Sequence, residues 1–123
     1  MRRLIALLFL TATLSLAQPA AVRQFLVRMN VVRKDLTLQN LTDEEKATLT
    51  KHGTYLKKLQ DEGKLLIGTQ VFDPKGLWAL LIVNVPNAEA ATELMKGDPA
   101  YQAKIFTGEV APCRTVFQPK AQP

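Results

Sequence analysis

The strongest constraint on the fold of this chain is the order in which two hydrophobic periods alternate along it. Apolar residues fall on every second position at Phe25, Val27, Met29 and Val31, so one face of an extended segment is greasy and the other is not. The spacing then changes. Leu49, His52, Leu56 and Leu59 follow at intervals of three, four and three, the stripe of an amphipathic helix. Two further apolar runs, Leu65 to Phe72 and Leu77 to Val85, flank Asp73-Pro74-Lys75-Gly76. Pro at the first central position of a turn and Gly closing it predict an antiparallel hairpin. A second helical stripe of Ala88, Ala91, Leu94 and Met95 precedes a last strand expected over Val110 to Phe117. The order strand, helix, strand, strand, helix, strand is the split-βαβ pattern. It predicts an α+β, ferredoxin-like βαββαβ fold, a four-stranded antiparallel sheet with the helices on one face.

Local chemistry marks the ends of these elements. Thr42-Asp43-Glu44-Glu45 has the form of a capping box, in which the Thr42 hydroxyl and the Glu45 carboxylate satisfy each other's backbone N–H groups. Gly63 is placed to stop that helix in the left-handed conformation. Between Val32 and the cap, Arg33 to Asn40 is polar and irregular and reads as a loop. Asn87 caps the second helix, Gly97 ends it, and Asp98-Pro99 opens another helical turn with Pro in the first position. Leu80 to Val83 is apolar on both faces, as a strand covered on both sides would be. The helices cover one side only. A second copy of the chain is the economical cover for the other, so a homodimer through the sheet face is expected.

The ends of the chain have a different character. Met1-Arg2-Arg3, an apolar run from Leu4, and small residues before Gln18-Pro19 make a secretory signal peptide over residues 1–17. The run is too short to span a bilayer, so no stable membrane anchor is expected after its removal. The folded domain is expected over residues 22–118 and a polar tail over 119–123. Export places the protein in the periplasm or the extracellular space. The formal charge of +5 becomes +3 without Arg2 and Arg3. No basic run interleaves with aromatics, so nucleic acid is not an expected partner. The single Cys113 excludes an internal disulfide and reads as a packed structural thiol.

Few residues can carry chemistry. One His excludes a His-rich metal site, and the scattered glycines form no phosphate-binding loop. No metal and no cofactor are expected. The remaining candidates are His52, on the apolar stripe, and Asp98. A carboxylate on one ring nitrogen would fix the tautomer and make the other a better base for a small organic molecule. Tyr55, one turn from His52, and Arg28, on the first strand, are candidates to hold an oxyanion or carboxylate. The same residues also fit a core histidine, a helix cap, an edge aromatic and a solvated arginine.

From His52 the chain reads His52-Gly-Thr-Tyr55-Leu56-Lys-Lys-Leu59-Gln-Asp-Glu-Gly63-Lys-Leu65, later Ala90-Ala91-Thr-Glu-Leu94-Met95-Lys-Gly-Asp98-Pro99, then Gly108-Glu-Val110-Ala-Pro112. This ordered set resembles the YCII-related (YciI-like) family, from about Phe25 to Phe117. The resemblance implies a dimeric α+β barrel and an active site built on a His and an Asp, which fall here on His52 and Asp98. Lys104 stands where a Gly often follows the Asp-Pro helix, and Cys113 where an aromatic often follows the last Val-x-Pro. Two kinds of function fit: a small cofactor-independent enzyme of lyase or isomerase type, or a non-catalytic dimeric module that binds a small ligand.

Overall fold

A computed structural model describes residues 23–120. The signal peptide expected over 1–17 and the last three residues of the tail lie outside the described residues. The chain runs β1 (Arg23–Val31), α1 (Asp43–Asp61), β2 (Leu65–Asp73), β3 (Gly76–Val85), α2 (Ala88–Gly97), α3 (Pro99–Gln102) and β4 (Phe106–Cys113). The strands form one antiparallel sheet in the order β2-β3-β1-β4. This is the expected α+β, ferredoxin-like topology, with α3 as the extra turn opened by Asp98-Pro99.

The cap signals act as their chemistry requires. Glu45 N–H donates to the Thr42 hydroxyl at 3.1 Å, and Thr42 N–H donates to the Glu45 carboxylate at 2.9 Å. Gly63, past the other end of α1, has φ of +71°, a conformation that a side chain disfavours. Asn87 caps α2 through the N–H of Ala90 at 2.8 Å. Lys104 is the one described non-glycine residue with a positive φ, 58°. That conformation costs a residue with a Cβ about 1–2 kcal/mol.

The core lies between the sheet and the helices. Phe25, Val27 and Met29 of β1 point into it together with Leu81, Val83 and Val85 of β3 and Ala91 and Met95 of α2. Residues of opposite parity lie on the other sheet face: Leu26, Arg28 and Asn30 pair with Ile82, Leu80 and Trp78. Among the described residues nothing covers that face.

The last strand differs from the sequence reading. It begins at Phe106 and ends at Cys113, four residues earlier at each end than Val110 to Phe117. Val116 and Phe117 are instead exposed, at 69% and 91%. The strand starts early because Gly108, opposite Met29, supplies a gap in its inner face. A Cβ there would sit 2.5 Å from the Met95 sulfur and 3.2 Å from the Arg28 carbonyl oxygen. Pro112 is tolerated because β4 is an edge strand.

Two glycines make opposite expectations. Gly108→Ala should destabilise by about 1–3 kcal/mol, because Met95 must leave its site and a backbone oxygen crowds the new methyl. Gly53 lies within α1, and a Cβ there meets nothing within 4 Å. Gly53→Ala should therefore stabilise by about 0.5–1 kcal/mol through helix propensity. Urea denaturation of the two variants checks both signs.

Candidate functional site

The inward stripe of α1 is only partly buried. Leu59 is the one fully buried residue of the helix, while Leu49, His52 and Leu56 are intermediate. They stop short of full burial because they face a cavity of about 380 Å³ between α1 and the β2–β3 side of the sheet. Leu36 and Leu38 of the β1–α1 connection form part of its wall. Gly68, Thr69 and Gln70 of β2 line it, with Leu77, Ala79 and Leu81 of β3. Val31, Trp78 and Phe106 complete the lining.

His52 is the one ionisable side chain in this lining. Its Nδ1 lies 2.9 and 2.7 Å from the two carboxylate oxygens of Asp98. Asp98 is 1% exposed and sits at the corner between α2 and α3, where it caps α3. Its Oδ1 also accepts the N–H of Ala100 at 2.8 Å. Two donors therefore hold a carboxylate that burial would otherwise penalise by several kcal/mol. Phe106 fixes the imidazole from the side, with ring centroids 5.5 Å apart and planes at 55°. A neutral His52 in this setting donates from Nδ1–H to Asp98, which leaves the Nε2 lone pair as the available base. Among the described residues Nε2 has no hydrogen-bond partner.

The other two candidates lie elsewhere. The Tyr55 hydroxyl donates to the Leu94 carbonyl at 2.8 Å and packs where a Cβ on Gly97 would come within 2.9 Å of it. Burial, with Asp98 and Glu62 nearby, raises its pKa, so it stays a protonated strut between α1 and α2. Arg28, expected to hold an anion, lies on the uncovered sheet face. It pairs in register with Leu80, stacks its guanidinium 4.5 Å from the Trp78 ring centroid and donates to Asn30. The structure brings neither residue to the cavity. Cys113 is at the far end of β4 from Phe106, roughly 20 Å away at the strand rise. Burial raises the pKa of its thiol, which keeps it protonated and poorly nucleophilic.

What the sequence reading missed is the wall built by the loop. Arg33 donates to both carboxylate oxygens of Glu45, at 3.2 and 2.8 Å, and to the side chain and carbonyl of Asn40. Asn40 in turn donates to the Asp35 carbonyl and accepts from Thr37 N–H. This network closes the connection into a fixed turn with Leu36 inward. The one sequence signal was Leu36 and Leu38 alternating within a polar stretch. Among the described residues no group of three or more His, Cys, Asp or Glu could hold a metal, and no helix is long and apolar enough to cross a membrane.

The Arg33 bond holds the Glu45 carboxyl below the usual glutamate range, with the Thr42 N–H adding to the effect. A lowered folded-state pKa stabilises above the unfolded value of about 4.3 and loses that contribution as pH falls through the folded value. Glu45→Gln keeps an acceptor for Thr42 but removes the charge. Its melting temperature should lie below the parent's at neutral pH, and the gap should close as acid protonates Glu45 in the parent. A pH series of melting curves for the two proteins checks this.

Comparison with known proteins agrees with this architecture. The YCII-related domain model matches residues 24–113. No curated protein matches the chain by sequence. Among solved structures, a 5-chloro-2-hydroxyhydroquinone dehydrochlorinase from Burkholderia phenoliruptrix, in complex with 2,5-dihydroxybenzoquinone, is similar at 17% identity and a TM-score of 0.58. The match covers 74% of this chain and 93% of that one, and at this identity the likeness is one of fold. With the family match spanning most of its length, this chain belongs to the YCII-related family.

Proposed function

We propose that this protein is a small enzyme that moves a proton on a small organic molecule, with His52 Nε2 as the acid–base group and Asp98 orienting the ring. The observation that carries the reading is the contact of the half-buried His52 with the buried Asp98 carboxylate on the wall of an apolar cavity. Asp98 fixes the tautomer and stabilises the imidazolium formed when Nε2 accepts a proton. The leucines around the ring offer water few hydrogen-bonding groups beside that proton. The proton transfer needs only the chain's own residues. The dehydrochlorinase of similar fold, named for a hydroxyhydroquinone and solved with a dihydroxybenzoquinone, supports a cyclic organic substrate.

Proton exchange tests this directly. In D₂O the protein should speed deuterium uptake at the C–H positions beside the carbonyls of 1,4-cyclohexanedione, a neutral ring, followed by NMR. Asp98→Asn keeps a helix-capping acceptor but removes the charge, and should lower the rate about 10²- to 10⁴-fold. His52→Gln should abolish the acceleration while the far-UV circular dichroism is retained. Binding of the dione with no faster exchange would favour the non-catalytic module.

We also propose that residues 1–17 direct export and are removed, and that the mature protein pairs through its uncovered sheet face. Leu26, Leu80 and Ile82 stand there only half-buried, beside Ile67, exposed at 50%. Material recovered outside the cytoplasm should have a protomer mass shortened by residues 1–17 and should sediment as a dimer. Leu80→Glu, on that face, should sediment as a monomer. A full-length mass, or a monomer without any substitution, contradicts the corresponding half of the proposal.

A further inference from the structure

The cavity beside His52 selects by what it lacks. No Lys, Arg, Asp or Glu lines it among the described residues. Arg33, in the connection that supplies Leu36 and Leu38, gives its guanidinium to Glu45, Asn40 and Asp35. Arg28 faces the other side of the sheet. The nearest fixed charge is the buried Asp98 carboxylate directly behind the imidazole. When His52 takes up a proton, its positive charge is already matched by Asp98, so the pair offers no surplus for an anion. A carboxylate or phosphate entering this space would lose its hydration and find no cation to replace it.

The polar side chains of the lining are few. Trp78 pairs with Asn30 and so belongs to the uncovered face, where its N–H is buried without a partner. Thr69 pairs with Leu80 and so belongs to the uncovered face. Gln70 pairs with Ala79, which pairs with the core residue Met29, so it stands on the side of the sheet that faces α1. It is exposed and makes no hydrogen bond among the described residues. Its amide can donate and accept, across the cavity from the His52 stripe.

We infer that this cavity takes neutral, ring-sized apolar compounds bearing a weakly acidic O–H or C–H, rejects carboxylates and phosphates, and uses Gln70 as the second polar anchor opposite His52. The inference rests on the acid–base reading of His52 and adds the class of molecule on which it acts. The ring of such a compound is held by leucines, and its proton is shared with Nε2. Its second polar group meets the Gln70 amide.

Two probes of matched shape separate the cases: 4-chlorophenol, neutral at pH 7, and 4-chlorobenzoate, an anion. Titration of each into the protein is read from the His52 ring resonances by NMR. 4-Chlorophenol should shift them saturably, and 4-chlorobenzoate should bind at least about tenfold more weakly, the equivalent of ~1.4 kcal/mol. Gln70→Leu, at an exposed edge-strand position, should weaken hydroquinone, which has two hydroxyls, about tenfold and leave 4-chlorophenol unchanged. Leu38→Lys puts a cation at the half-exposed rim and should raise 4-chlorobenzoate affinity. Equal or tighter binding of 4-chlorobenzoate by the unmodified protein would overturn the inference and leave the acid–base reading standing. An unchanged hydroquinone affinity in Gln70→Leu would overturn the role of Gln70. His52 resonances unmoved by either probe would overturn both the inference and the reading beneath it.

Discussion

The Asp98 carboxylate is buried at the corner of α2 and α3, and a carboxylate cannot stay there alone. It has two partners, the N–H of Ala100 two residues on and the Nδ1 of His52, which is 46 residues away in sequence. The first is local and comes with the helix cap. The second joins α1 to the α2–α3 corner, and it can form only if α1 lies along the sheet with its His52 stripe inward. One electrostatic requirement thus ties the middle of the first helix to the end of the second. It also turns Nε2 towards whatever space lies beside the ring.

That space exists because α1 does not settle fully onto the sheet. Leu49 and Leu56 bracket His52 and remain half-buried, although a packed core would favour covering them. The Arg33–Glu45–Asn40 network holds the β1–α1 connection as a wall on one side of the opening. Glu45 serves both that wall and the cap of α1, so the helix that carries His52 and the loop that shapes its surroundings share one anchor. Glu45, Leu49 and His52 follow at four and three residues and therefore stand on one helix face. The cavity is a product of this geometry, with its polar pair at the inner end and hydrocarbon around it.

Much of the fold was legible because its signals are local. The capping box at Thr42, the stop at Gly63, the Asn87 cap and the Asp98-Pro99 turn each depend on atoms a few residues apart. The strand-to-helix change of period named the elements and their order. The last strand was misread because its start contains Gly108, whose meaning lies in Met95 and in the backbone of β1, neither of them near it in sequence. Val116 and Phe117 looked like strand residues by composition, yet no partner strand extends to meet them. The contact between His52 and Asp98 could be named as a pair of candidates, but not measured. Tyr55 and Arg28 could be read as anion holders because sequence gives residue type without direction. Arg28 is one residue from Val27 and Met29, and that single step puts it on the opposite face.

The sequence by itself determined the elements, their order, their caps and the single histidine on the apolar stripe of the first helix, since all of these follow from residue type, periodicity and contacts within a few residues. Only the tertiary structure decided that His52 meets Asp98, that the polar loop walls a cavity, and that Arg28 is turned away from it. Those outcomes depend on strand register and on the docking of α1 against the sheet. Both are set by the packing of residues far apart in the chain, where a shift of one position exchanges the inside for the outside.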